Sequence, residues 1–338
     1  MKPIWAARDK LRWLRRRTNG AGLRLSYQLG LLRVMGLPRV LMIEPTNECN
    51  LHCPLCPTGA GKLKRPKGQM SLDLYRHILV DLDGALNRVM LYNYGEPFLH
   101  PHLLDMIAEA HQAEVYTRVS TNGLVFLRSI SADDLISSGL DYLRVSMDGA
   151  TDETYNVYRV GGKLDRVLEG VRLLQERKRE LGKLKPAVEL QFIVMRHNER
   201  DIPAMRQIAR GMGTLLRLKS VGLGDLNREP ARRGWLPEDE SFRRYDESFN
   251  LARNGSHVCD HPWQRLVVNW DGQVTPCCYD PDGVYEFGNA ADGIGAVWNG
   301  QRLQAFRRAM KSSSRPAICR KCSAPLWNSP RMGRVEKP

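Results

Sequence analysis

From residue 39 the chain alternates short, apolar, β-rich runs with longer amphipathic stretches. The runs 39–45, 88–94, 115–120, 141–147, 187–195 and 215–221 are rich in Val, Leu, Met and Tyr and predict strands. Helices are predicted between them, near 71–83, 101–113, 131–139, 163–182 and 201–212. Several open on a capping pattern, such as Ser71 with Asp73 or Ser131 with Asp133 and Asp134, whose oxygens can accept from first-turn N–H groups. Six strands alternating with helices predict a parallel α/β architecture, as an open partial barrel or a doubly wound sheet. Periodicity alone does not choose between the two.

The pattern lapses after about residue 222 into Gly, Pro, Asp and Arg, so 223–254 reads as a linker. Residues 255–325 carry two short strand signals (RLVVNW and QVTPCC), a turn at Asp271-Gly272 and a helix near 300–311. A segment this small and loop-rich cannot bury much of a core, so bound metal is expected to hold it. Residues 1–38 predict one or two helices, with Trp5, Leu11, Trp13 and Leu14 set against Arg8, Lys10, Arg12 and Arg15–Arg17. That face either packs on the exterior of the body or lies on an anionic membrane or an acidic partner. A basic tail fills 326–338, and no internal repeat is visible.

Composition narrows the picture. The 338 residues, 42% hydrophobic and 26% charged, are an ordinary globular mixture and exclude a disordered or collagen-like chain. No apolar run is long enough to span a bilayer, and Arg24 and Arg33 interrupt every stretch that could serve as a secretory core. A cytoplasmic enzyme is therefore expected. The formal charge of +14 sits at the two ends: residues 1–40 carry +9, residues 301–338 carry +9, and the middle is −4. A slightly acidic body is unlike a nucleic-acid groove. Eight cysteines, in two clusters and without a signal peptide, indicate metal or redox chemistry over a disulfide scaffold.

Three of them, Cys49, Cys53 and Cys56, form C-x3-C-x2-C in a loop directly after the first predicted strand. Three thiolates suit an iron–sulfur cluster, whereas a closed zinc site generally takes four ligands. His52 could supply a fourth, but its place between two of the cysteines would strain the loop. With this loop, the ends of the next three strands carry Tyr94-Gly95-Glu96-Pro97, Ser120-Thr121-Asn122-Gly123 and Ser146-Met147-Asp148-Gly149, and Tyr158-Arg159 follows the last of these. In parallel βα folds, functional residues gather at strand C-terminal ends. Each motif alone could be a βα turn or a helix cap; the ordered set is far more specific.

That set, over roughly 39–221, resembles the radical S-adenosylmethionine (SAM) superfamily. The resemblance implies a partial (βα)6 barrel in which Cys49, Cys53 and Cys56 hold a [4Fe-4S] cluster whose open iron binds SAM. It places Gly95 and Glu96 in the segment whose backbone holds the SAM amino group, and Arg159 where a cation can pair with the SAM carboxylate. Ser120, Asn122, Ser146 and Asp148 join the cofactor-binding set, and Gln191 lies where polar side chains often face the ribose. Two residues depart from the family pattern: Leu55 replaces a usual aromatic, and Tyr94 replaces the first Gly of a GGE-like segment. The implied chemistry is cleavage of SAM to a 5′-deoxyadenosyl radical that abstracts hydrogen from substrate, with flavodoxin or ferredoxin as electron donor.

Cys259, Cys277, Cys319 and Cys322 could by themselves hold either zinc or a [4Fe-4S] cluster. Beside a radical SAM core, Gly272-x4-Cys277 and the following C-x2-C resemble the SPASM/twitch auxiliary-cluster domains, nearest to the one-cluster form of an aminocyclitol dehydrogenase. These four cysteines are then the expected ligands of a second cluster. Cys278 occupies the place where sulfatase-maturating members carry a base, and is either a proton or hydrogen-atom donor or a small buried hydrophobe. Asp280 and Asp282 are further acid/base candidates. His257 and His261 read as flanking residues, and His100 and His102 as part of a helix start. The expectation is oxidation of a sugar, polyol or aminocyclitol-like small molecule. Two alternatives stand beside it: modification of a ribosomally made peptide, and a non-catalytic metal-binding protein that docks RNA or a membrane.

Overall fold

The computed structural model describes residues 5–125, 130–223, 234–246, 259–313, 315–320, 322 and 335–337, with the side chains of the first helix described from Leu11 onward. His257, linker residues 224–233 and 247–254, and residues 323–334 lie outside the described residues, as do the side chains of Trp5, Arg8 and Lys10. The chain divides into two compact units that interleave in sequence. The first takes Met1–Glu48, Lys64–Arg118 and Val258–Arg320, and the second takes Cys49–Leu63, Val119–His257 and Lys321–Pro338.

All six predicted strands of the βα region form: β1 (Val40–Ile43), β2 (Arg88–Leu91), β3 (Tyr116–Thr121), β4 (Tyr142–Ser146), β5 (Ala187–Val194) and β6 (Leu215–Ser220). The boundary between the units falls within β3. In the first unit β1 pairs in parallel with β2, and on its other side with β7 (Arg265–Val268), so that Ile43 lies between Leu91 and Val268. Two antiparallel strands, β8 (Gln273–Thr275) and β9 (Gly288–Asn289), extend that edge. The cysteine-rich segment after the linker thus continues the sheet of β1, and Leu41, Ile43, Val89, Leu91 and Val268 form a fully buried core. In the second unit β4, β5 and β6 are parallel, and β10 (Val335–Glu336) adds an antiparallel edge to β6. The result is an α/β fold with a mixed sheet.

Local sequence explains where the helices begin. The Ser71 hydroxyl accepts from Leu74 N at 3.2 Å to open α2 (Leu72–Asp81). In the second unit, reciprocal capping boxes at Ser131 and Thr151 start α4 (Ala132–Ser137) and α5 (Asp152–Tyr158), ahead of α6 (Leu164–Glu180) and α7 (Ile202–Met212). Gly213, at φ 65°, ends α7 in the left-handed region. The first unit also holds α3 (Leu103–Gln112) and a single 24-residue helix, α1 (Trp5–Gln28). The seven-residue α5 has no counterpart among the predicted helices; two turns leave too few apolar repeats to read.

The stretch after α1 is locked to the C-terminal part of the same unit. The Trp263 and Trp298 indole N–H groups donate to Leu31 O and Gly36 O at 2.8 and 2.9 Å. Asn299 exchanges two bonds with the Val34 backbone. Arg307, fully buried in the helix Gln301–Met310, donates to Pro262 O at 2.8 Å and Leu32 O at 2.7 Å while its guanidinium lies 4.5 Å over the Trp298 ring. Two carbonyls and an aromatic face hold this charge. Arg307→Met is expected to destabilise the protein by about 2–4 kcal/mol, because both carbonyls lose a buried donor. Urea unfolding of the cluster-loaded protein checks this; an unchanged midpoint would show that the clasp is dispensable.

Candidate functional site

The cysteine loop belongs to the second unit. Cys56 N donates to Cys53 O at 3.1 Å and Ala60 N to Cys56 O at 2.8 Å, winding the loop into tight turns. Gly59 lies so close beneath it that an added Cβ would sit 2.5 Å from Cys53 N. His52 N donates to Val160 O at 3.0 Å, tying the loop to the end of α5. His52 thus acts through its backbone in this loop.

Cys53 is buried, and burial is the main influence pushing its thiol up; the neighbouring Arg159 guanidinium opposes that shift. Arg159 Nη1 lies 3.8 Å from the Cys53 sulfur, while its Nε and Nη2 both reach Asp148 Oδ2, at 2.7 and 2.6 Å. Asp148 is fully buried, and its other oxygen accepts from Ile193 N at 2.6 Å. Its carbonyl accepts from the Asn198 side chain at 2.9 Å, and Asn198 also caps Met195 N. Asp148 is therefore committed to holding Arg159 and the end of β5. Asn122 clips the other end of the loop, donating to Asn50 Oδ1 at 2.7 Å with the Cys49 sulfur 3.9 Å away. Ser146 and Gln191 lie side by side in register across β4 and β5, both buried, and Ser120 is half-buried one residue before the end of β3.

A parallel sheet covered on both faces is normally apolar on both. Here one face of β4–β6 carries Leu143, Val145, Leu190, Phe192, Leu216 and Leu218, while the other carries Tyr142, Arg144, Ser146, Glu189, Gln191 and Arg217. Glu189 is its centre, accepting from Tyr142 Oη and Arg144 Nε at 2.5 Å and from Arg217 Nε at 2.7 Å. Burial raises its carboxyl pKa most strongly, but Arg144, Tyr142 and Arg217 together outweigh it and hold the group below the ordinary value. Single buried charges in strands 4 to 6 were the available sequence signal for this face.

The first unit holds Gly95 and Glu96. Gly95 has φ 103°, and a Cβ there would stand 2.4 Å from Thr46 O, so only glycine fits against the backbone after β1. Glu96 N donates to Glu48 O at 2.7 Å, and its side chain caps the short turn Pro97–Leu99 through Phe98 N at 3.1 Å. Beneath them lies a buried pair that sequence reasoning missed: Glu44, at the end of β1, meets Arg65 at 2.9 Å through both oxygens. Burial pushes the Glu44 carboxyl up, and Arg65 opposes it. Tyr94 N donates to Glu44 at 3.2 Å, Arg65 Nε to Pro281 O at 2.7 Å, and Tyr94 Oη to Cys278 O at 2.5 Å. The charge that ends an otherwise apolar strand was the legible hint.

The same unit contains Cys259, Cys277, Cys278 and Cys319, while Cys322 is in the second unit. Cys277 opens the turn after β8, its carbonyl accepting from Asp280 N at 3.1 Å, and Cys319 lies on the short helix Ala317–Arg320. Asp280 is buried with its oxygens accepting from Val284 N at 2.9 Å and Tyr285 N at 2.8 Å, a turn-stabilising arrangement; burial chiefly raises its pKa. Asp282 Oδ1 accepts from Lys64 N at 2.8 Å. Cys259, Asp260 and His261 bring ligand atoms within 4.8 Å of one another, so His261 is closer to a metal-binding position than its sequence context suggested. His100 bonds Met70 O at 2.8 Å and His102 pairs with Asp105, both local structural roles.

Three sulfurs on one tight loop, one of them buried beside a fixed guanidinium, match the soft donor set of an iron–sulfur cluster that leaves one iron open. Comparison with known proteins agrees. Residues 43–207 match the radical SAM superfamily, and residues 259–323 match the SPASM iron–sulfur cluster-binding domain. The chain belongs to the radical SAM superfamily and carries a C-terminal SPASM domain. It is an enzyme whose cofactors are SAM, a [4Fe-4S] cluster and an auxiliary iron–sulfur cluster.

Among similar proteins is the tungsten-containing aldehyde ferredoxin oxidoreductase cofactor-modifying protein of Pyrococcus furiosus, 26% identical over 318 residues, covering 84% of this chain and 87% of that one. The PqqA peptide cyclase of Granulibacter bethesdensis is 24% identical over 314 residues, covering 84% and 79%. The structure of BtrN in complex with AdoMet and 2-DOIA shares the fold, with TM-score 0.51, 19% identity, and coverage of 89% of this chain and 97% of that one.

Gly95→Ala is expected to cost about 3 kcal/mol or more, since it adds a backbone clash to an unfavourable φ, against about 1 kcal/mol for Gly182→Ala, where only the φ is unfavourable. Denaturant midpoints compare the two; equal losses would remove the close approach of Gly95 to the Thr46–Asn47 backbone as a constraint.

Proposed function

We propose that this enzyme oxidises a small, polar, hydroxyl-bearing molecule, a sugar, polyol or aminocyclitol, by abstracting hydrogen from one of its C–H bonds. The observation that carries this reading is the polar face of β4–β6, where Tyr142, Arg144, Glu189, Gln191 and Arg217 replace the apolar side chains a parallel sheet usually buries. With Tyr142, Arg144 and Arg217 held in place by Glu189, these side chains form a polar rather than apolar wall, which suits a hydroxylated substrate better than a hydrocarbon one.

In this reading Cys49, Cys53 and Cys56 hold the SAM-binding cluster, and Cys259, Cys277, Cys319 and Cys322 hold the auxiliary one. The bound groups supply 5′-deoxyadenosyl radical chemistry and, in an oxidation, a route for the second electron. The chain's own residues position and exclude. Asp148 fixes Arg159 beside Cys53, Asn122 secures the loop at Asn50, and Gly95 and Glu96 present their backbone for the SAM amino group. Ser120, Ser146 and Gln191 contribute polar contacts to the cofactor. The oxidation releases the substrate's hydroxyl proton, and Cys278, whose carbonyl is anchored by Tyr94, takes it up as the thiolate. With both Asp280 oxygens engaged by backbone N–H groups, Cys278 is the better candidate of the two. Flavodoxin or ferredoxin delivers the reducing electron, in the cytoplasm.

A second reading, modification of a ribosomally made peptide, is favoured by the near full-length similarity to a PqqA peptide cyclase. Anaerobic incubation of the reconstituted protein with SAM, dithionite and panels of polyols, aminocyclitols or peptides tests both readings. 5′-Deoxyadenosine formation should rise with a polyol or aminocyclitol that is recovered as a carbonyl compound, and should vanish when Cys49, Cys53 and Cys56 are all replaced by Ala. Stimulation by peptides alone would overturn the small-molecule reading, and undiminished 5′-deoxyadenosine from the triple variant would overturn the cluster assignment.

A further inference from the structure

The inner side of the first helix carries the fully buried Leu23, with Tyr27 edge-on to Trp263, and a row of polar anchors. Arg12 Nε pairs with Asp83 Oδ1 at 3.1 Å, and Arg16 Nη2 donates to Ala113 O at 2.8 Å. Asn19 donates to Leu37 O at 3.0 Å and accepts from Leu37 N at 2.7 Å, and Ser26 Oγ accepts from Met35 N at 2.8 Å. The helix also approaches so closely at Gly22 that a Cβ would stand 2.4 Å from Met35 O. These contacts fix which face is inside, and all of them lie within the first unit.

Opposite this face, at helical spacing, stand Leu11, Leu14 and Leu25, followed by Leu29 just past the helix end, with exposures of 50, 52, 45 and 61%. Thr18 and Ala21 continue the same stripe, so no charged side chain interrupts it. Trp13 is 57% exposed at its flank, with the Arg17 guanidinium stacked 4.6 Å from its ring. Arg15, Arg17 and Arg24 are exposed along the borders, and the helix has no acidic residue from Leu11 to Gln28. Scattered surface leucines need no explanation, but an aligned exposed row opposite the seated face departs from the ordinary amphipathic helix, whose outer face is polar.

We propose that the outer face of α1 docks this enzyme on a membrane surface bearing anionic lipids. Leucines between arginines, with a tryptophan at the border, are the pattern of a helix lying in the interface plane: the apolar stripe enters the acyl boundary and the guanidinium groups meet phosphate. The stripe is linear and offers no pocket, which suits non-directional hydrocarbon, and the unopposed positive border selects anionic headgroups. No described helix is long and apolar enough to cross a membrane, so the contact is a surface one.

Co-sedimentation of the cluster-loaded full chain with vesicles tests this, using phosphatidylcholine alone or mixed with phosphatidylglycerol. The protein should sediment with the mixed vesicles, and less so as salt rises. The double substitution Leu14→Glu and Leu25→Glu should weaken binding at least about tenfold through lost apolar insertion. Arg15→Gln, Arg17→Gln and Arg24→Gln together should weaken it about tenfold or more on the mixed vesicles only. Both variants should keep the wild-type melting temperature, because the altered side chains are exposed. Failure to bind mixed vesicles at low salt, or equal binding by the leucine variant, would overturn the proposal. So would a wild-type dimer that the leucine variant converts to monomer without any vesicle binding, since a second copy would then be what covers the face.

Discussion

A buried carboxylate that cannot be left unpaired organises the second unit. Asp148 sits at the end of β4 with no exposure, and its two oxygens are taken by Arg159 and by Ile193 N. Removing a charge to this depth is costly unless a partner and further hydrogen bonds compensate. That requirement brings Arg159, at the end of α5, to the Cys53 sulfur and holds the end of β5 in place. The cysteine loop is consequently shaped from outside itself. Asn122 and Val160 grip its flanks, and the Asp148–Arg159 pair fixes the charge that faces its buried thiol.

The first unit repeats the device with other residues. Glu44 ends β1 as Asp148 follows β4, and Arg65 compensates it in the interior. Through this pair and Tyr94, the Gly95-Glu96 turn is tied to the backbone at Cys278 and Pro281. A substitution in this pair would therefore disturb two segments with different expected roles, the SAM-binding turn and the auxiliary-cluster loop.

The six strands and most of the helices were legible because buried parallel strands read as apolar runs and the caps are local in sequence. The C-terminal segment read as a small separate body, yet β7 pairs with β1 in parallel. Such long-range pairing leaves no local signal. Residue types were also easier to read than roles. Glu96 was expected for its place in a SAM-binding segment, and its side chain caps a turn; Asp280 was considered as an acid or base, and backbone N–H groups occupy its oxygens. Short polar side chains serve caps and chemistry alike, and only their partners, set by the fold, separate the two. The leucines of α1 show the converse. Their composition was plain, but which face turned outward depended on Asp83, Leu37 and Met35, which sequence spacing does not connect to the helix.

If Asp148 governs the cysteine loop, its replacement should remove one cluster and spare the other. The direct measurement is iron content and low-temperature EPR of anaerobically reconstituted Asp148→Asn beside the wild type. The expected result is a loss of about four of eight irons per chain, together with the SAM-sensitive signal, while the auxiliary signal persists. Wild-type iron and an unchanged SAM-sensitive signal would contradict the dependence of the loop on this buried pair.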